Sequence, residues 1–87
     1  MAINFPNLSR SFDATRQAVR FWGYDSAMEA AFFVNDDALK KIKPDMRLDE
    51  VGFLTAFDLN RQLIYTAAAK AYGARRKGAH DVVAADF

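Results

Sequence analysis

A period of two residues dominates the first part of the chain, and a helical period dominates the second part. Residues 18–24 and 27–34 are rich in β-branched and aromatic side chains, which is typical of strands. Asp25 and Ser26 separate these runs, and a two-residue connection predicts an antiparallel hairpin. A further short strand is predicted at residues 10–14, before a turn at residues 15–17. Pro6 favours extended backbone in the lead-in over residues 1–9.

The loop length predicts the register of the hairpin. Tyr24 is expected opposite Ala27, and Trp22 opposite Glu29. One face of the hairpin is then almost wholly apolar and should face the core; its residues are Val19, Phe21, Gly23, Met28, Ala30, Phe32 and Val34. The other face mixes charged and aromatic side chains and should be partly exposed; its residues are Arg20, Trp22, Tyr24, Glu29 and Phe33.

Two helices are predicted after the hairpin. Asn35 suits an N-cap, and the acidic residues that follow it suit the first turn of a helix over residues 36–42, which Pro44 ends. Asp49 is the candidate cap of a long helix over residues 48–74. Its apolar positions recur at the helical period; they are Phe53, Leu54, Phe57, Ile64, Ala67, Ala68 and Ala71. Residues 79–85 predict a last strand.

This order, β-β-β-α-α-β, predicts an α+β fold in a single small domain over residues 1–87. A mainly antiparallel sheet of about four strands is expected, covered on one face by one long and one short helix as a two-layer sandwich. Five large side chains should be buried together between the layers: Phe21, Phe32, Leu54, Phe57 and Ile64.

Three parts of the sequence resemble the bacterial family catalogued as domain of unknown function 1488. The first is the segment from Phe12 to Gly23, FDATRQAVRFWG. The second is the helical stretch with Ala56, Phe57, Arg61, Ile64, Ala67, Ala68 and Tyr72, and the third is the ending Ala84-Ala85-Asp86-Phe87. The resemblance implies a small bacterial α+β protein. It implies no activity and no site residues, because the family has none established.

Composition excludes several classes of protein. The chain has no cysteine, which excludes disulfides, zinc–thiolate sites and cysteine nucleophiles. Hydrophobic residues make up 52% of the chain and aromatic residues 14%, a globular profile. No apolar run approaches the roughly 20 residues of a membrane span, and residues 1–7 do not form a secretory leader. We therefore expect a cytoplasmic protein.

Candidate catalytic and metal-binding residues are few. His80 is the single histidine, and no serine lies in a nucleophile-elbow motif, so His80 is expected on the surface or in packing. The acidic pairs Asp36-Asp37 and Asp49-Glu50 lie where helix N-termini are predicted, and capping explains them better than metal binding. The four glycines are isolated, so no phosphate loop is present. The sequence therefore predicts that the protein is not an enzyme and that it binds no metal, cofactor or small molecule.

Two positively charged features leave alternatives open. Lys70, Arg75, Arg76 and Lys77 cluster at the end of the long helix. They either complement the helix dipole or contact the phosphates of a nucleic acid. Arg61 falls within the apolar face of the long helix. Either its stem covers the sheet while its guanidinium reaches the rim, or it recognises a buried anion.

The mixed face of the hairpin leads to the favoured function. Tyr and Trp are enriched where protein interfaces concentrate their binding energy. We therefore expect a non-enzymatic protein-interaction or regulatory module, self-associating or bound to a protein partner through Arg20, Trp22, Tyr24, Glu29 and Phe33. The alternative is a nucleic-acid-binding accessory protein that uses the basic cluster. The net charge of only +1 disfavours that alternative.

Overall fold

A computed structural model of the chain describes residues 3–75 and 78–87. The strands are β1 (Ile3–Asn4), β2 (Arg10–Asp13), β3 (Ala18–Asp25), β4 (Met28–Asn35) and β5 (Ala79–Val82). The helices are α1 (Asp36–Ile42), α2 (Glu50–Leu59) and α3 (Arg61–Ala74), followed after β5 by a 3-10 turn at Ala84–Asp86.

The five strands form one mixed sheet with its helices on one face. The strand order is β1-β3-β4-β5. Strand β2 also pairs with β3, on the same side as β1 but with the N-terminal half of β3. Every pairing is antiparallel except that of β4 with β5, which is parallel. The α+β prediction is confirmed. The strand at Ile3–Asn4 was expected to be only extended, and the last strand ends at Val82 instead of residue 85.

The predicted register of the hairpin is wrong by two residues. Tyr24 pairs with Glu29 and Trp22 with Ala31, so Ser26 and Ala27 form the loop. The loop therefore lies one position further along the chain than predicted, and Ser26 within it has a positive φ of 55°. Because side chains alternate with a period of two, a shift of two residues leaves each side chain on its predicted face.

The predicted caps of α1 and α2 are confirmed. The Asn35 side chain accepts a hydrogen bond from the backbone N–H of Ala38 at 2.9 Å. The Asp49 side chain accepts one from the backbone N–H of Gly52 at 2.7 Å. These bonds satisfy amide groups that a helix N-terminus leaves unpaired.

The predicted long helix is two helices, separated at Asn60. Its φ of −128° and ψ of 24° lie outside the helical region. Its side-chain amide donates to the carbonyl oxygen of Ala56 at 2.9 Å, and its backbone N–H donates to Phe57. Asparagine competes in this way with the helical backbone, and here it ends α2 before α3 begins.

The core lies between the helices and the sheet. Four of the five predicted residues are fully buried there: Phe21, Phe32, Phe57 and Ile64. Leu54 is only partly buried at the edge of this cluster, and α2 instead turns Phe53 fully inward. The rings of Phe21 and Phe57 lie 5.1 Å apart, and those of Phe21 and Phe32 lie 5.4 Å apart. Within the described residues, no helix has the length and apolar character that would carry it across a membrane.

Candidate protein-interaction face

The sheet face turned away from the helices, here called the open face, carries the predicted interaction residues. Arg20, Trp22 and Tyr24 project from β3, and Glu29 and Phe33 from the neighbouring β4. Alternation along the two strands places all five on this one surface. The structure therefore brings the predicted residues together, although not in the predicted pairs.

Phe33 is not exposed, contrary to prediction. Only 7% of the residue is accessible. The guanidinium carbon of Arg16 lies 4.0 Å from the centroid of the Phe33 ring, and that of Arg20 lies 5.7 Å away. A guanidinium over an aromatic ring is attracted by the negative face of the ring. Two arginines thus cover Phe33 and remove it from the accessible patch.

Arg16 spans the sheet as it covers Phe33. Its guanidinium lies 3.7 Å from Asp13 at the end of β2 and 3.6 Å from Asp81 on β5. Arg16 is not among the predicted interaction residues. The i,i+3 spacing of Asp13 and Arg16 across the turn was the available signal, whereas the approach of Asp81 depends on the sheet order. Arg16 and its two acidic partners therefore cover one end of the open face.

Trp22 and Tyr24 form the accessible aromatic part of the open face, and both are half-buried. Trp22 faces the small side chain of Ala31, and the guanidinium carbon of Arg20 lies 5.2 Å from its ring. The Tyr24 hydroxyl donates a hydrogen bond to Glu29 at 2.8 Å. The predicted cross-strand pair of Trp22 with Glu29 is therefore replaced by Tyr24 with Glu29, as the shifted register requires.

The charges on this surface are separated along the strands. Arg20 lies on one side of Trp22, and the Tyr24–Glu29 pair lies on the other. Within residues 3–75 and 78–87, neither Arg20 nor Glu29 forms a salt bridge, and both are exposed. The open face thus offers an aromatic centre between a cation and an anion.

The basic cluster is only partly described. Lys70 and Arg75 are exposed at the C-terminal part of α3 and just beyond it. Arg76 and Lys77, the other members of the predicted cluster, lie outside the described residues. The two described cations lie away from the aromatic residues of the open face, because α3 packs on the opposite face of the sheet.

Arg61 is held by internal partners. Its guanidinium donates to the Tyr65 hydroxyl at 2.7 Å, to the Leu8 carbonyl at 2.9 Å and to Asp58 at 2.9 Å. The guanidinium carbon lies 4.9 Å from the Phe57 ring centroid. These contacts account for a partly buried arginine on an apolar helix face without an anionic ligand.

Asp58 joins two arginines at this corner of the molecule. Arg10 binds both carboxylate oxygens of Asp58, at 3.0 and 2.8 Å. The hydrogen bond from Arg10, together with the charges of Arg10 and Arg61, holds the pKa of Asp58 below its usual value, against an opposing effect of burial. The cluster ties β2 and the N-terminal segment to α2 and α3.

His80 lies in the core side of the sheet and not at the surface. It is 7% exposed, and its ring stacks on Phe32 with centroids 5.3 Å apart. The Tyr72 ring lies 5.6 Å away. Of the two expected positions for His80, packing in the core is the one that the structure shows. In the described part of the chain, no group of three or more histidine and acidic side chains is arranged to hold a metal ion.

Comparison with known proteins places this fold in a family. The family model described as "Protein of unknown function (DUF1488)" matches residues 3–80. The chain belongs to the DUF1488 family. The match includes two of the segments that suggested the family, whereas the third, the ending over residues 84–87, lies beyond it.

A crystal structure of another DUF1488 protein has the same fold. This protein of unknown function from Shewanella loihica PV-4 is 18% identical to the chain, with a TM-score of 0.79. The superposition covers 92% of this chain and 90% of that one. Identity this low shows a shared fold and carries no functional residues over. No curated protein matches the sequence.

Proposed function

We propose that this DUF1488 protein is a non-enzymatic interaction module whose open face binds another protein. The proposal is carried by Trp22, a half-buried aromatic residue on an uncovered sheet between Arg20 and the Tyr24–Glu29 pair. Tryptophan, tyrosine and arginine are the residue types that most often dominate binding energy in interfaces.

The arrangement of charge indicates the kind of partner. A protein surface that fits should place an apolar side chain over Trp22, with an acidic residue toward Arg20 and a basic residue toward Glu29. Arg16, Asp13 and Asp81 already satisfy one another at the far end of the face. Recognition is therefore expected to centre on Trp22 and not on Phe33.

Mixed charge on the open face also separates this proposal from nucleic-acid binding. Arg16 and Arg20 share the surface with three acids, namely Asp13, Glu29 and Asp81. A phosphate backbone is attracted by a predominantly basic surface. A polypeptide with residues of both charges is the better match.

The test identifies a partner and then measures its dependence on the open face. Proteins captured by the wild-type chain from bacterial lysate are identified by mass spectrometry, and each is purified for titration calorimetry. Trp22→Ala and Arg20→Glu should each weaken binding by about tenfold or more. Thr66→Ala, at an exposed position on α3, is the matched control and should leave the Kd unchanged.

The proposal fails if no captured protein binds more weakly to either open-face variant. Circular dichroism of each variant before titration ensures that lost binding is not lost folding. Both substituted residues are at least partly exposed, so the fold should tolerate the changes.

A further inference from the structure

The outer edge of β5 directs backbone hydrogen-bonding groups away from the sheet. Strand β5 ends the strand order, and among the described strands it pairs with β4 alone. The backbone N–H of Ala31 donates to the carbonyl oxygen of Gly78 at 2.8 Å, so Gly78 and His80 direct their backbone groups toward β4. Since these groups alternate along a strand, the N–H and C=O of Ala79 and Asp81 point outward.

These four outward groups are available to another chain. No hydrogen bond from elsewhere in the described chain reaches the outward backbone groups of Ala79 or Asp81, and both residues are exposed. A Cβ atom added at Gly78 would meet no atom within 4 Å, so the space beside the start of the strand is open. A row of unpaired N–H and C=O groups at a sheet edge is a template for another extended polypeptide.

The free edge has a defined end. The backbone N–H of Val83 donates to the Asp86 carboxylate at 2.8 Å, and the Val83 carbonyl oxygen accepts from the Asp86 N–H at 2.9 Å. The 3-10 turn therefore closes the edge directly after β5. Proline and lysine, which commonly protect edge strands, are absent from Ala79–Val82. The available edge is thus confined to Ala79 and Asp81.

The side chains at this edge indicate the charge of the chain that fits it. Ala79 and Asp81 pair with Ala31 and Phe33, so their side chains lie on the open face. The Asp81 side chain is 70% exposed, and its ion pair with Arg16 at 3.6 Å is longer than a hydrogen bond. The Asp81 carboxylate can therefore also bind a basic side chain on an added strand.

A row of small side chains connects the edge to Trp22. Trp22 lies beside Ala31, and Ala31 lies beside Ala79. Only two methyl groups therefore separate the Trp22 ring from the outer edge of β5. A large apolar side chain opposite Ala79 can lean across these methyl groups toward Trp22. The edge is thus continuous with the surface that carries the proposed function.

A second copy of β5 does not supply the basic residue. Antiparallel pairing centred on His80 sets Ala79 opposite Asp81, and pairing centred on Asp81 sets two carboxylates opposite each other. Pairing centred on Ala79 leaves Asp81 beyond the end of the other strand. A segment of a different protein, with lysine or arginine at the required position, satisfies both the backbone groups and the charge.

We propose that an extended segment of the protein partner adds a strand antiparallel to β5, with a basic residue opposite Asp81 and, two positions later, an apolar residue opposite Ala79. In antiparallel pairing, each of these two partner residues exchanges two backbone hydrogen bonds with the residue opposite. Backbone bonds then provide affinity, and the alternate side chains provide specificity. The segment belongs to the protein that covers Trp22, so this mode of docking rests on the proposed function.

A short capped peptide, acetyl-Thr-Val-Lys-Thr-Leu-Val-Thr-amide, is the probe. Its lysine is designed to lie opposite Asp81 and its leucine opposite Ala79, and fluorescence anisotropy of a labelled form measures binding up to millimolar protein. N-methylation of the leucine nitrogen should weaken binding by about tenfold or more, because that N–H points toward β5. N-methylation of the central threonine, whose N–H points away from β5, is the matched control and should leave the Kd unchanged.

Variants of the protein test the same bonds from the other side. Ala79→Pro removes an outward N–H and leaves the bonds to β4 in place, since proline is tolerated at the start of an edge strand. It should weaken peptide binding by about tenfold or more, whereas Ala79→Ser keeps the N–H and should bind like the wild type. Asp81→Lys should weaken binding several-fold, and a peptide with glutamate in place of lysine should restore it.

No binding of the probe at millimolar protein, or equal binding of the two N-methylated peptides, would overturn the strand addition. These peptides are tested on the wild type, so a proline variant that does not fold leaves that result intact. A wild-type dimer in sedimentation equilibrium that folded Ala79→Pro abolishes would assign the edge to a second copy instead. The open face is tested separately, by Trp22→Ala and Arg20→Glu with a captured partner, so the two proposals can fail independently.

Discussion

Arg16 lies over Phe33, with 4.0 Å between the guanidinium carbon and the ring centroid, and so converts an aromatic residue of the open face into a buried one. The turn between β2 and β3 supplies the cation, and β4 supplies the ring. Flanking contacts with Asp13 and Asp81 hold the arginine in place. This contact divides the open face into a closed end and an accessible end around Trp22.

Arg16→Ala should destabilise the protein by about 0.5–2 kcal/mol, because Phe33 loses the cation and the hydrocarbon stem that cover it. Urea unfolding followed by circular dichroism measures the change. Lys70→Ala removes an exposed cation with no aromatic partner among the described contacts and should change the free energy of unfolding by less than about 0.5 kcal/mol. Equal effects of the two substitutions would show that the Arg16 contact contributes nothing to stability.

Phe57→Ala should cost about 3–5 kcal/mol, because it leaves a cavity beside Phe21 at the centre of the core. Leu54→Ala, on the same helix but only partly buried, should cost clearly less. The free energy of unfolding of a small domain is only about 5–15 kcal/mol, so the alanine variant could fail to fold. Phe57→Leu is then the milder substitution to measure. Unfolding in urea gives the comparison. A loss below about 1 kcal/mol for Phe57→Ala would contradict the core assignment.

Gly52→Ala should destabilise the protein even though alanine is the better helix former. A Cβ atom at residue 52 would clash with the carbonyl oxygen of Arg47, which is backbone and cannot move aside alone. We expect a loss of about 1–3 kcal/mol or more. Gly78→Ala is the matched control, because a Cβ there has no neighbour within 4 Å. Thermal unfolding of both variants measures the difference in stability. A Gly52→Ala protein as stable as Gly78→Ala would rule out the close approach of residue 52 to the Arg47 backbone.

Asp58 should make the protein sensitive to acid. Because the pKa of Asp58 is lower in the folded protein than in the unfolded chain, its ionised form favours folding. This contribution is present above the unfolded pKa of about 3.9 and is lost as the pH falls through the lower, folded pKa. Asp58→Asn should be less stable than the wild type near neutral pH, and the difference should shrink on acidification.

Unfolding free energies of the two proteins across the acid range measure that difference. Asp37→Asn removes an exposed carboxylate that forms no salt bridge within the described residues, and it should follow the wild-type curve more closely. A constant gap between the wild type and Asp58→Asn down to the lowest pH would contradict the assigned role.

The basic cluster should not confer nucleic-acid binding. With a net charge of +1, the protein should show no shift of mixed DNA and RNA in gels and no salt-dependent retention on heparin beyond the lowest salt. A variant with alanine at all four positions of the cluster, Lys70, Arg75, Arg76 and Lys77, should behave like the wild type. Binding at low salt whose salt slope decreases in the variant would instead establish the alternative function.

Local sequence determined the short elements and the faces of the hairpin. Asn35 and Asp49 each carry a side-chain oxygen where a helix begins, and the capping bond is made within three residues along the chain. The alternation over β3 and β4 determined which side chains share a face. That result survived an error of two residues in the register, because the side-chain period of a strand is two.

Only the tertiary structure decided how distant parts of the chain cover or expose one another. Phe33 was predicted as accessible, yet Arg16 and Asp81 reach it from other elements. Such contacts join residues far apart in sequence, so neither periodicity nor capping carries information about them.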